Sequence, residues 1–212
     1  MDSILNLLQS DLGQTLINGA AQKTGQPADK TANVLSQAMP LILGAMQRNA
    51  ATPEGASALN SALSDQRHGG GVLDMLGGLF GDGAGSPDDL VNDGAGILGH
   101  VLGAKQPQVE SALSQSSGMD ASNVSEIIKM AAPILMGMLG KQKQAENVDQ
   151  NGIGDLLGSV LGQSGAKDQS FIEQILDADG DGSIVDNVAG MVLGGDKKKG
   201  GLGGLLGGLF GK

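Results

Sequence analysis

The chain has 212 residues, of which 40% are hydrophobic, enough for one or two small domains with a core. It contains 37 Gly and 3 Phe but no Trp, Tyr or Cys, which excludes disulfides, thiolate zinc sites and cysteine nucleophiles. A formal net charge of −10 argues against nucleic-acid binding, because that function relies on Lys and Arg to neutralise phosphates. A core with so few aromatic residues favours close-packed helices over large sheets, and we therefore predict an all-α fold.

The amino-terminal residues do not resemble a targeting segment. Residues 1–12 contain two Asp and neither Lys nor Arg, and they lack the continuous apolar stretch of a signal peptide. No stretch of about 18 uninterrupted apolar residues, as a membrane-spanning helix needs, occurs in the sequence. We predict a cytoplasmic location, which leaves export by another route open.

Residues 1–66 are predicted to form a first helical unit. Apolar residues recur at helical spacing on both sides of a turn at Thr24 to Asp29, which indicates two helices. Pro40 lies inside the second of these helices, where it removes one backbone hydrogen bond and should kink the helix or split it. The segment Thr52 to Glu54 places a capping hydroxyl before Pro and an acid, and so predicts another helix start.

A Gly-rich loop is predicted at 67–85, because 8 of the 17 residues from Gly69 to Gly85 are Gly. Its Leu and Val residues could still form one short helical turn. Ser86 to Asp89 then repeats the signature of a helix start, with Pro at the first helical position and acids in the first turn.

Residues 86–146 are predicted to form a second helical unit that duplicates the first. Ala131 to Leu139 corresponds to Ala38 to Met46 at an offset of 93 residues, and the same offset aligns Gly118 with Gly25. The fold prediction is therefore a small helical bundle built from a duplicated helix-turn-helix unit with Pro-kinked helices. We interpret the methionines of the two long helices as core residues, because Met fills irregular gaps. They are Met39, Met46, Met136 and Met138.

Residues 147–195 are predicted to be helices around an Asp-rich loop of calcium-binding type. Acidic residues at alternate positions one, three and five, a Gly at six and an apolar residue at eight match the opening of an EF-hand loop. Position twelve, where an EF-hand supplies a bidentate Glu, is Val188. The predicted calcium ligands are Asp177, Asp179, Asp181, Ser183 and Asp186. The alternative interpretation is that Asp-Gly pairs form tight turns and cap helices.

Residues 196–212 form a Lys-, Gly- and Leu-rich tail for which two interpretations exist. Its Gly content is typical of a flexible, disordered segment. Alternatively, the basic cluster Lys197 to Lys199 next to Leu and Phe residues could dock on an anionic membrane surface. The sequence Gly-Leu-Phe-Gly occurs at 78–81 and again at 208–211.

The sequence contains no recognisable catalytic or cofactor-binding constellation. His68 and His100 are far apart, and His100 is interpreted as a hydrogen-bonded structural residue of an apolar helix. Gly94 to Gly99 lacks the strand context and the Lys-Ser/Thr of a phosphate-binding loop. We therefore predict a non-enzymatic structural or interaction module whose protein partner the sequence does not identify.

The central motif resembles the YidB-like bacterial family of unknown function, DUF family 937. The resemblance lies in Asp93-Gly94, Leu98-Gly99-His100, Gly103 to Gln106, Ser117-Gly118 and Ala132-Pro133 followed by Gly137. An Asp-rich loop near the carboxyl end is similar to one in many members. The resemblance implies an all-helical fold without established catalytic residues. Such helices are sometimes described as homeodomain-like, but the acidic charge of this chain gives no reason to carry over DNA binding.

Overall fold

The computed structural model describes residues 4–65 and 87–162. Within these ranges the chain forms eight α-helices, one short 3-10 turn at Gly103–Lys105 and no strand, which confirms the all-α prediction. The helices are α1 (Ile4–Gln9), α2 (Asp11–Thr24), α3 (Ala28–Ala50), α4 (Pro53–Ser64), α5 (Pro87–Val101), α6 (Gln106–Ser117), α7 (Ala121–Ala145) and α8 (Ile153–Gly162). The predicted loop at 67–85, the Asp-rich loop and the tail lie outside the described residues.

Local sequence signals determine where several helices begin. Ser10 caps α2 by accepting a hydrogen bond from the Gly13 amide at 3.2 Å, and Thr52 caps α4 in the same way. Helices α4 and α5 begin at Pro53 and Pro87, as their Pro-acid signatures predict.

Helices α2 and α6 both end at a glycine in the left-handed region. Gly25 has φ 65° and Gly118 has φ 63°, and each is followed within three residues by the start of a longer helix. Glycine suits this position because it has no Cβ to clash with the following carbonyl oxygen. The two sites are separated by the 93-residue offset seen in the sequence. Duplication of the complete unit stays a prediction.

The long helices continue through their internal prolines. Pro40 lies within α3 and Pro133 within α7, and each helix has one continuous assignment. Splitting into two segments, one of the two outcomes expected from the sequence, is therefore not observed. Pro133 and Pro40 are both buried, so packing compensates for the hydrogen bond that each proline removes.

One aliphatic core connects all the described helices. Helices α3 and α7 pack against each other at the centre, with α2, α4 and α8 around α3 and with α5 and α6 against α7. Met39, Met46 and Met136 are buried and Met138 is partly buried against the same core, which confirms their interpretation as core residues. Fully buried core residues include Leu16, Leu35, Ile42, Leu63, Leu98, Leu113, Ile127 and Leu157.

Candidate functional site

A groove opens between α4 and α5. These two helices do not pack against each other along their length, whereas both pack against α7, which forms the floor through Met136. The groove has a volume of about 680 Å³ and is partly open to solvent. Its lining consists of Asn49, Thr52, Gly55, Ala58, Leu59, Ala62, Asp93, Gly96, Ile97, His100, Val101 and Met136.

Each wall of the groove is one face of a helix. The α4 face is small and apolar at positions i, i+3, i+4 and i+7, with Leu59 as its largest side chain. The α5 face follows the same spacing from Asp93 to Val101 and contains Gly96 and Ile97. At 1.5 Å per residue, these faces are about 11 and 12 Å long. The groove is therefore about two helical turns in length.

A close helix approach at Gly55 positions the α4 wall. A Cβ at Gly55 would lie 1.9 Å from the backbone oxygen of Asn49, so only glycine permits this approach of α4 to the end of α3. The Thr52 hydroxyl, which accepts a hydrogen bond from the Gly55 amide at 3.1 Å, fixes the same turn. The amide side chain of Gln150, next to α8, donates to the backbone oxygen of Pro53 at 3.4 Å.

One end of the groove is closed by a side-chain amide. Nδ2 of Asn49, at the end of α3, donates to the backbone oxygen of Val101 at 3.1 Å and approaches that of His100 at 3.4 Å. Carbonyl groups in the last turn of a helix have no intrahelical partner, so this side chain satisfies the end of α5. The two walls are thus joined at the Asn49 corner.

A second close approach positions the α5 wall on the floor. A Cβ at Gly94 would lie 1.7 Å from the backbone oxygen of Lys129 in α7. At the amino end of α5, Lys23 Nζ lies 2.6 Å from Oδ1 of Asp88. The hydrogen bond with Asp88 raises the pKa of Lys23 above its ordinary value. Helix α5 is therefore held by α7 along its length and by α2 at its start.

The chemistry of the groove suits contact with an apolar surface. Asp93 and His100 are its titratable residues, and both are exposed. They are two turns apart on α5, about 11 Å along the axis, which is too far for one to orient or deprotonate the other directly. Most of the remaining lining is Gly, Ala and aliphatic side chains.

The structure leaves the predicted metal site untested. Asp177, Asp179, Asp181, Ser183 and Asp186 all lie outside the described residues. Among residues 4–65 and 87–162, no group of three or more His, Cys, Asp and Glu side chains is arranged to hold a metal ion. Asp149, in the loop before α8, instead accepts hydrogen bonds from the amides of Asn151 and Gly152, each at 3.0 Å.

Sequence reasoning interpreted His100 as a hydrogen-bonded structural residue and did not predict that it would lie exposed at the groove. It also missed the groove itself, because the walls come from segments about 40 residues apart in the sequence. The available signal was the small-residue stripe from Gly55 to Ala62. Such stripes also occur where helices pack together, so the sequence alone did not indicate an open face.

Comparisons with known proteins assign the family but no activity. No helix within the described part of the chain combines the length and the hydropathy needed to cross a membrane. Neither the curated proteins nor the solved structures contain a match to this chain. The family model described as a bacterial protein of unknown function (DUF937) matches residues 6–142, more than half of the chain. The chain therefore belongs to the DUF937 family, the YidB-like family that its central motif resembles.

Proposed function

We propose that this protein is a non-enzymatic interaction module whose groove between α4 and α5 binds an apolar helical segment. The observation that supports this proposal is the pair of small apolar helix faces that line the groove without packing on each other. Apolar faces of this kind are normally covered in folded proteins, and open ones mark interaction sites.

The shape of the groove favours a helix as its ligand. Ala58 and Ala62 on one wall are small, and a Cβ at Gly96 on the other would meet no atom within 4 Å, which leaves room for side chains entering from outside. A helix that presents apolar residues at i, i+3, i+4 and i+7 has the same two-turn length of about 11 Å. Ile97, Leu59 and Met136 would then contact its apolar face.

Charge adds a preference for a basic ligand. The protein has a net charge of −10, and Asp93 lies exposed in the groove. A ligand helix with Lys or Arg beside its apolar face is steered toward such a surface, and the effect weakens as salt is added.

Calcium binding by the Asp-rich loop is a separate part of the proposal. The alternating carboxylates from Asp177 to Asp181 support it, and Val188 at position twelve argues for weak affinity. A bound ion would stabilise the carboxyl-terminal element by neutralising carboxylates that otherwise repel one another.

The groove proposal is tested with two variants of the full-length chain. Gly96→Leu places a side chain inside the groove, and Gly99→Leu places the same side chain on the exposed part of α5 outside the lining. A Cβ at either position meets no atom within 4 Å, so both variants should fold. The probe is a synthetic alanine-based helical peptide with Leu at i, i+3, i+4 and i+7 and Lys on the opposite face.

We expect the natural chain and Gly99→Leu to bind the probe and Gly96→Leu to bind it about tenfold more weakly, a loss of about 1.4 kcal/mol. Isothermal titration gives the affinities, and methyl signals of Ile97 and Met136 report where the probe binds. A peptide of the same composition with its Leu positions scrambled is the ligand control. Equal affinity of the two variants would refute the groove as the binding site.

A further inference from the structure

We propose, on the basis of the proposed function, that the occupant of the groove is the carboxyl-terminal end of the same chain. The segment concerned is the apolar set Leu202, Leu205, Leu206, Leu209 and Phe210, here called the tail stripe. The groove would then be a self-occupied site that an external helix must compete for.

The tail stripe has the spacing and length that the groove accepts. Its members stand at i, i+3, i+4, i+7 and i+8, so in a helix they share one face about 12 Å long. The α5 wall, from Asp93 to Val101, has the same spacing and length. All other residues from Gly200 to Gly211 are Gly, so no side chain opposes close approach of the tail backbone.

Charge distinguishes the tail from an internal copy of nearly the same sequence. Leu-Leu-Gly-Gly-Leu-Phe-Gly at 205–211 recurs as Met-Leu-Gly-Gly-Leu-Phe-Gly at 75–81. The internal copy is flanked by Asp74 and Asp82, whereas the tail copy ends at Lys212 and is preceded by the Lys cluster at 197–199. Because Asp93 places an exposed carboxylate in the groove lining, the basic copy is the better match.

Attachment to the chain compensates for the poor helix propensity of the tail. Each Gly costs about 1 kcal/mol relative to Ala in a helix, and seven lie between 200 and 211, so a free tail peptide should bind weakly. Tethering provides an effective concentration of millimolar order.

The connecting segment is long enough for this arrangement. The described chain ends with α8, which packs on α3 and on α4, one of the groove walls. The 39 residues 163–201 would span about 58 Å even as a continuous helix, which exceeds the length of about 38 Å of the 25-residue α7.

Disulfide formation between introduced cysteines tests the placement directly, since the natural chain has no Cys. One full-length variant combines Ala58→Cys on the groove wall with Gly211→Cys in the tail. The matched control combines Ser57→Cys with the same tail substitution. Position 57 is exposed like 58 but lies about 100° around α4, outside the lining.

With oxidised glutathione as the oxidant, which is reduced to two thiols as the disulfide forms, we expect the Ala58 pair to close about tenfold faster than the Ser57 pair, with the product running as a monomer on a non-reducing gel. Equal rates would overturn the proposal. A fast Ala58 disulfide found only in dimers would assign the groove to the tail of a second copy and overturn occupancy by the same chain.

Competition separates this proposal from the proposed function. In a second full-length variant the five tail-stripe residues are replaced by Ser, and the alanine-based probe peptide is titrated as before. With an effective tail concentration of about 1 mM and a Kd of about 100 μM for the free tail, the probe should bind this variant about tenfold more tightly than the natural chain. Equal tight binding to both chains would refute the tail as occupant while leaving the groove function intact, and no binding to either would refute both.

A membrane role for the tail is a further outcome of the same comparison. If vesicles of phosphatidylserine and phosphatidylcholine bind the natural chain but not the Ser variant, and the two Cys pairs close at equal rates, the tail belongs to a membrane surface. That result would overturn its placement in the groove.

Discussion

Replacing Gly94 by Ala tests the contact on which the α5 wall depends. The added methyl group would lie 1.7 Å from the backbone oxygen of Lys129 and 2.5 Å from its carbonyl carbon. Ordinary carbon-oxygen contacts are about 3.3 Å or longer, so α5 and α7 must separate by about 1.5 Å at this crossing. The obstacle is backbone of a central helix, which cannot move aside as a flexible side chain can.

Two effects of opposite sign determine how much Gly94→Ala changes the free energy of unfolding. Overpacking a well-packed contact lowers the free energy of unfolding by about 1–3 kcal/mol. Because this clash is severe, we expect a loss at the upper end of that range. Alanine is better than glycine in a helix by about 1 kcal/mol, which offsets part of the loss. We expect a net decrease of about 2 kcal/mol in the free energy of unfolding, which lowers Tm by about 4–8 °C for a chain of this size.

The matched control is Gly99→Ala on the same helix. A Cβ at Gly99 meets no atom within 4 Å and the residue is exposed, so the substitution causes no clash. Only the higher helix propensity of alanine then affects stability. This variant should be more stable than the natural chain by up to about 1 kcal/mol. Thermal and urea unfolding, followed by far-ultraviolet circular dichroism, measure the stability of both variants. If Gly94→Ala were as stable as Gly99→Ala, the close approach of α5 to α7 would be refuted.

Three further predictions concern other parts of the chain. Gly118→Ala, at φ 63°, should lower the free energy of unfolding by about 1–2 kcal/mol, whereas Gly118→Asn should lower it less, as urea unfolding would show. The raised pKa of Lys23 implies a stabilising contribution that is complete below its ordinary value of 10.5 and is lost as pH rises through the folded-state pKa. Asp88→Asn should remove most of this dependence, leaving the smaller effect of Glu126, and shift the Lys23 side-chain titration, followed by NMR, to lower pH. Calorimetric titration of chelator-treated protein should show one saturable calcium site that is lost in the Asp177→Ala, Asp179→Ala double variant. No heat up to millimolar calcium, with an unchanged Tm, would leave the Asp-rich segment as a turn.

Much of the helical architecture was readable from local chemistry. Thr52 and Pro53 specify the start of α4 because a capping hydroxyl and a fixed φ act within one turn, independently of the rest of the fold. Gly25 and Gly118 likewise end α2 and α6, because few other residues adopt the left-handed region at low cost. The near absence of aromatic residues correctly indicated an aliphatic core of helices rather than sheets.

The prolines show where local rules were insufficient. The sequence could not decide whether Pro40 and Pro133 would interrupt their helices, because the lost hydrogen bond competes with burial of the surrounding aliphatic residues. In the structure both helices continue, and both prolines are buried in the core that α3 and α7 share.

The sequence by itself determined the helical class, the family motif and the acidic charge, because each depends on composition or on residues close together in the chain. Only the tertiary structure decided that Gly55 and Gly94 are contact points and that the faces of α4 and α5 line one groove with His100 exposed in it. The physical reason is that a stripe of small residues looks the same in sequence whether it packs against a helix or stays open. Whether the stripe on α4 is covered depends on the directions in which α4 and α5 run from Asn49, whose side chain binds the end of α5.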